Sequence, residues 1–212
     1  QTDVPVSTLV SVDVEGGELT SVKLTSGTAQ LPGSLSDDAT AWSASERLEP
    51  ATTYDVKVAA RDAAGEQVRR TTRFTTQALT LDEQTFASVA PLQDETVGVG
   101  MPVVVTFDLP VRNRAEFEKH MSVASSPQQA GAWHWLSDTE AHWRPQSYWK
   151  SGTEVTVDVD VNGVDAGNGI YGQQDRTIDF TVGDANIYQV DAQTYQMKVL
   201  SNGKLLRTIP IT

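Results

Sequence analysis

Alternation of apolar and polar positions dominates this chain. Thr53-Tyr-Asp-Val-Lys-Val-Ala59 and Thr153-Glu-Val-Thr-Val-Asp-Val-Asp-Val161 place an apolar residue at every second position. That is the period of a strand with one face in a core and the other in water. Turn-forming residues interrupt the pattern at Gly16-Gly17, Pro32-Gly33, Gly65, Gly131, Asn162-Gly163 and Asn202-Gly203, and short strands spaced in this way predict β-sandwiches. One departure is expected. After the strand Val103 to Val111, ended by Pro110, the sequence predicts a short helix capped by Asn113. Glu116 and Glu118 suit its early turns, and Phe117 and Met121 would face the core.

The pattern occurs twice. Trp42, Leu48, Thr52, Tyr54, Val56 and Val58 align with Trp143, Trp149, Thr153, Val155, Val157 and Val159, each at an offset of 101. Both copies close on Phe-Thr, at Phe74-Thr75 and Phe180-Thr181, where the offset has grown to 106. The second copy therefore carries an insertion in the Asn162–Gly172 loop. Two related sandwiches in tandem are the economical reading, an all-β fold with domains at 1–77 and 78–184. Beyond Asp184 the pattern changes: Ile187 to Val190 and Tyr195 to Leu200 lead through Asn202-Gly203 into Lys204 to Ile211, and Asn-Gly between alternating runs signals a β-hairpin. Residues 185–212 are read as the start of a third domain.

Composition narrows the functional classes. With 28 acidic and 16 basic residues the chain carries a net charge of −12, a poor match to phosphate backbones, which need clustered Lys and Arg; no nucleic-acid partner is expected. Absence of cysteine excludes disulfides, thiolate metal sites and a cysteine nucleophile within these residues. No apolar run is long enough to span a bilayer. No basic segment followed by an apolar one opens the chain, which says nothing about compartment.

Five segments carry a family resemblance: Gly98-Val-Gly100-Met-Pro102-Val-Val-Val-Thr-Phe107-Asp, Trp135-Leu, Trp143-Arg-Pro-Gln-Ser-Tyr148-Trp149-Lys, the Gly163-to-Gly172 loop and Phe180-Thr-Val-Gly-Asp184. In this order and spacing they resemble the immunoglobulin-like spacer of the actinobacterial (mycobacterial and corynebacterial-type) L,D-transpeptidases, which cross-link peptidoglycan. Domain 1–77 matches only in general pattern. Residues 187–210 look like the opening strands of that family's YkuD-type catalytic domain. The resemblance implies a parent enzyme in which a histidine-activated cysteine takes the acyl group from a donor stem peptide and passes it to an acceptor amine. The family's Ser/Thr-His-Gly-Cys motif has no match here, so no catalytic residue carries over and this chain is expected to be non-catalytic, with no cofactor and no metal. Implied partners are peptidoglycan, through the parent enzyme, and the parent's own catalytic domain, packed against domain 78–184. The implied location is the cell envelope outside the cytoplasm, secreted or membrane-anchored through a lipid or signal segment outside this sequence. On this reading residues 187–210 lack the rest of their sheet and leave strand edges open. The alternative is a surface adhesin or glycan-binding module with no enzymatic activity, since tandem immunoglobulin-like domains serve both roles.

Candidate chemistry is concentrated in one hairpin. Trp133, Trp135, Trp143, Tyr148 and Trp149 fall within 17 positions, around a predicted loop at Ser137-Asp-Thr139 that sets Trp133 opposite Trp143. Aromatics in this number form either a core or interdomain contact, or a platform on which sugars stack. His134 and His142 would face each other on the other side, near Glu140, where a metal reading is weaker than that of a solvated strand face. Asp158-Val-Asp160-Val-Asn162-Gly163 copies the first half of a calcium loop, but Gly169 stands where the bidentate Glu belongs, so it reads as a strand with acids on its wet face. Gly98-Val-Gly100 is followed by no basic residue and no helix, which removes a phosphate-loop reading.

Overall fold

A computed structural model describes all residues, 1–212, and their regular elements are almost all strands. No helix is long and apolar enough to cross a membrane. The chain divides into two compact units, residues 1–85 with 161–174, and residues 86–160 with 175–212.

The first unit holds β1 (Ser11–Asp13), β2 (Gly17–Ser26), β3 (Ala29–Leu31), β4 (Gly33–Leu35), β5 (Ala41–Ala44), β6 (Thr53–Asp62), β7 (Gln67–Thr75) and the short β8 (Gln84–Thr85). They make a sheet β1-β5-β4 and a sheet β3-β2-β6-β7. The period-two pattern explains the core, because Leu24, Tyr54, Val56 and Phe74 point one way and are buried while Lys57 and Arg73 point the other. Tyr54 stacks on Phe74 at 5.4 Å. Its buried hydroxyl accepts the Glu49 N–H at 3.0 Å, as a buried phenol needs.

The second unit holds β9 (Ala87–Ala90), β10 (Thr96–Val97), β11 (Val103–Phe107), α1 (Arg114–Lys119), β12 (Met121–Ser126), β13 (Gly131–Ser137), β14 (Glu140–Pro145) and β15 (Glu154–Val159). The chain then contributes β16 (Asp165–Gly167) and β17 (Ile170–Gly172) to the first unit, where β17 pairs with β8, and returns as β18 (Arg176–Val182). This excursion is the insertion located by the repeat. Within the first unit Asn162 donates to Glu49 at 2.7 Å. The two sheets of the second unit are β10-β18-β15-β12 and β13-β14-β11-β9. Phe107, Phe117, Trp143, Trp149, Val155, Val157 and Phe180 fill its core, each contributing about 1.5–3 kcal/mol by burial.

The helix forms where expected, with two differences. Asn113 stands at the N-cap, but its side chain makes no capping bond; its carbonyl accepts from Glu116 and Phe117 instead. Met121 is buried, yet it opens β12 and does not lie on the helix. Phe117 meets Phe107 edge-on at 5.4 Å, which seats α1 on the sheet.

Gly33 and Gly131 do not mark turns. Each lies in a strand beneath the equivalent tryptophan of its own copy. A Cβ at Gly33 would stand 2.1 Å from Cζ2 of Trp42, and one at Gly131 would stand 2.4 Å from Cζ2 of Trp143 and 2.4 Å from the carbonyl oxygen of Arg144. Both copies thus use glycine to let an indole lie flat across the neighbouring strand, a use of glycine for close approach.

A further three-stranded sheet of the second unit is the meander β19 (Asn186–Asp191), β20 (Gln196–Ser201) and β21 (Lys204–Pro210). Asn202 and Gly203 have φ of 48° and 79°, both positive as a type I′ hairpin turn demands. Tyr188, Val190, Leu205 and Leu206 are exposed.

Candidate functional site

The aromatic hairpin is built by β13 and β14. Trp133 pairs with Trp143 and His134 with His142, while Leu136 is left unpaired as the register shifts between Trp135 and Ser137. The loop is therefore Asp138-Thr139 with a bulge beside it, not the regular three-residue loop expected. The bulge keeps the expected Trp133–Trp143 register because it absorbs one residue.

Trp133, Trp135 and Trp143 share one side of the hairpin, and Trp149 packs on Trp143 from beyond it. Trp143 and Trp149 stack at 5.3 Å with planes 22° apart, and Trp149 meets Phe180 edge-on at 6.3 Å. They retain only 6% and 2% of their surface, leaving neither an open ring face. The Trp149 indole N–H donates to the Met101 carbonyl at 2.8 Å. Trp133 and Trp135 are half-buried, and their indoles donate to the Met121 carbonyl at 3.1 Å and to Glu118 at 2.7 Å.

Trp135 has two ring partners. Phe107 stacks on it at 5.7 Å, and the Arg114 guanidinium lies 5.4 Å from the ring centroid. Arg112 and Arg114 both pair with Asp138 in the hairpin loop, which ties α1 to the hairpin. The sequence marks Glu118 only as an acid suited to the early turns of the helix and gives Arg114 no role; their spacing of four on a helix, which puts two side chains on one face, is the signal that links them.

Tyr148 differs from the tryptophans. It is 68% exposed and borders a shallow cavity of about 410 Å³ with Gly100, Met101, Arg144, Gln146 and Ser147. A phenol ring beside amide, hydroxyl and guanidinium donors can stack on a sugar and hydrogen-bond its hydroxyls.

The remaining candidates occupy strand faces. His142 bonds Glu140 at 2.7 Å across from His134, and no three His, Asp or Glu side chains gather in a way that would hold a metal. Asp158 accepts from Thr177 at 2.9 Å on the wet face of β15, whose Val155, Val157 and Val159 are buried. Asp160 has its carboxyl pushed above the ordinary range, first by partial burial and then by repulsion from Asp175 and Asp158. Gly98 and Gly100 stand at the entry to β11 with Pro102.

Comparison with known proteins agrees with the sequence reading of the family. The model of the bacterial Ig domain matches residues 1–165. L,D-transpeptidase 2 of Mycobacterium tuberculosis (strain CDC 1551 / Oshkosh) is 34% identical over 98% of this chain and 50% of its own length. L,D-transpeptidase 5 of M. tuberculosis (strain ATCC 25618 / H37Rv) is 31% identical over 95% of this chain and 45% of its own. A solved structure of the LD transpeptidase LdtMt1 in complex with imipenem is 31% identical, covers 59% of this chain and 51% of that one, and superposes with a TM-score of 0.49. The chain spans about half the length of the curated relatives it matches. It belongs to the bacterial Ig domain family, and its homologues are mycobacterial L,D-transpeptidases.

Proposed function

We propose that this chain is the non-catalytic spacer of a cell-envelope L,D-transpeptidase that cross-links peptidoglycan. Its parts are an immunoglobulin-like domain at 1–77, a second at 78–184, and the first strands of the catalytic domain at 185–212. The observation that carries this reading is the 34% identity to L,D-transpeptidase 2 running over 98% of the chain in a sequence that contains no cysteine. Acyl transfer in such an enzyme needs a thiolate to form the thioester with the donor stem peptide and release its leaving group. That group has to come from residues other than these. The role left to the two sandwiches is mechanical. The short Phe180-Thr-Val-Gly-Asp184 connection, with Gly183 and Thr181 bonded back to Val97 and Glu95, suits an oriented mount better than a loose tether.

The test is the intact mass of the mature protein recovered from its native envelope. A mass well above 23.0 kDa, with the excess in a cysteine-containing domain, is the expected result. A mature product of about this size would overturn the spacer reading and leave a glycan-binding envelope module, with Tyr148 as the ring that sugars would meet.

A further inference from the structure

The net charge of −12 hides a basic face. Strand pairing in the first unit sets Lys23 of β2 opposite Lys57 of β6, Arg69 of β7 opposite Ala59, Arg61 opposite Gln67, and Arg73 opposite Asp55. All five cations lie on the side of the sheet away from Leu24, Tyr54, Val56 and Phe74, because they alternate with those buried residues. Neighbouring cations on β6 and β7 are therefore diagonal pairs, about 7–8 Å apart, in the zigzag order Arg73, Lys57, Arg69, Arg61. Lys23 stands beside Lys57.

Arg73 is spent on Asp55, which it grips through two bonds of 2.7 and 2.9 Å. Lys23, Lys57, Arg61 and Arg69 are exposed and make no ion pair. Glu18, opposite Arg61, is the one other carboxylate in this stretch of the face. Between the cations lies a trough of about 190 Å³ lined by the small residues Ser21, Ala59 and Thr71, by Lys23, Lys57 and Arg69, and by Val58 and Arg70. A β-bulge between Leu19 and Ser21 borders it, and Thr20 closes the bulge by donating to the Ala59 carbonyl at 3.0 Å.

We propose that this face binds a flexible linear phosphate polymer, with one phosphate seated over Ala59 and its neighbours along the zigzag. The cations form a track instead of being scattered over a plane, which fits a linear polyanion better than a bilayer. The hydroxyls lining the trough offer donors to phosphate oxygens. No aromatic residue lies on this face, so nothing there would stack a nucleic-acid base. The inference does not depend on the transpeptidase reading.

The test uses the 212-residue chain, sodium polyphosphate of defined length, and vesicles of phosphatidylglycerol with phosphatidylcholine. Four phosphate contacts on a single-stranded polyanion give a salt slope of about −2.8, so binding should weaken about fiftyfold between 50 and 200 mM NaCl. Lys57→Glu with Arg69→Glu should weaken polyphosphate binding at least tenfold. The same charge change at Lys204 and Arg207 of β21 should alter it less than twofold. Lys57→Gln with Arg69→Gln, read alongside thermal melts of every variant, separates lost charge from lost fold: a neutral pair that melts as the unmodified chain yet binds weakly supports the proposal. Three results overturn it: no binding at 50 mM NaCl, undiminished binding by the folded double variants, or capture by vesicles while polyphosphate is ignored.

Discussion

Gly131→Ala tests whether the Trp143 indole lies flat against the strand that carries Gly131. The added methyl would sit 2.4 Å from the Arg144 carbonyl oxygen and 2.4 and 2.5 Å from Cζ2 and Cη2 of Trp143. Ordinary contact for a carbon is about 3.5–4.0 Å, so either the backbone of β14 or the ring must retreat by about 1 Å. The ring has little freedom, because Trp149 packs on it at 5.3 Å and is itself anchored to Met101. Overpacking of this kind costs about 1–3 kcal/mol, and the loss of glycine's unfolded-state freedom returns about 0.4–1 kcal/mol. The net expectation is a destabilisation of about 1–2 kcal/mol. For a unit of roughly a hundred residues that lowers Tm by about 4–15 °C. Differential scanning calorimetry reads it directly, with Gly33→Ala as the twin in the other copy. Gly98→Ala is the control, since a Cβ there meets nothing within 4 Å. A Gly131→Ala protein that melts at or above the unmodified temperature, while Gly98→Ala behaves alike, would refute the argument.

Two further outcomes are expected. Trp149→Ala should cost about 3–5 kcal/mol in urea unfolding, because a buried indole is lost and the Met101 carbonyl loses its donor. A cost below about 1 kcal/mol would show that the Trp143–Trp149 pair does not hold the second core. Asp160→Asn should raise Tm at pH 7 and change nothing at pH 3. The folded pKa of Asp160 is raised above 3.8, so the fold favours the neutral acid. That contribution is complete below the unfolded pKa and is lost as pH rises through the folded one, and asparagine keeps the neutral form at every pH. Equal Tm changes at both values would rule the charge explanation out.

Along the strands the sequence alone determined which positions face the core and which face water. Tyr54 and Val155, Val56 and Val157 were aligned from spacing, and all four are buried. Strand alternation has a fixed period, so a side chain's face follows from its position along the strand. The Asn202-Gly203 turn was legible for a similar reason, since two positive φ values demand those residue types.

What spacing could not carry was anything that depends on which strand lies beside which. Gly131 read as punctuation because its partner, the Trp143 ring, is twelve residues away and meets it only through pairing of β13 with β14. The tryptophan cluster could be core or platform until packing set Phe107, Phe180 and Arg114 against the rings. Most clearly, Lys23, Lys57, Arg61 and Arg69 are scattered cations in an acidic sequence. Hydrogen-bonding of β2, β6 and β7 side by side gathers them onto one face. Local pattern fixes the direction of a side chain, and only the register between strands fixes its neighbours.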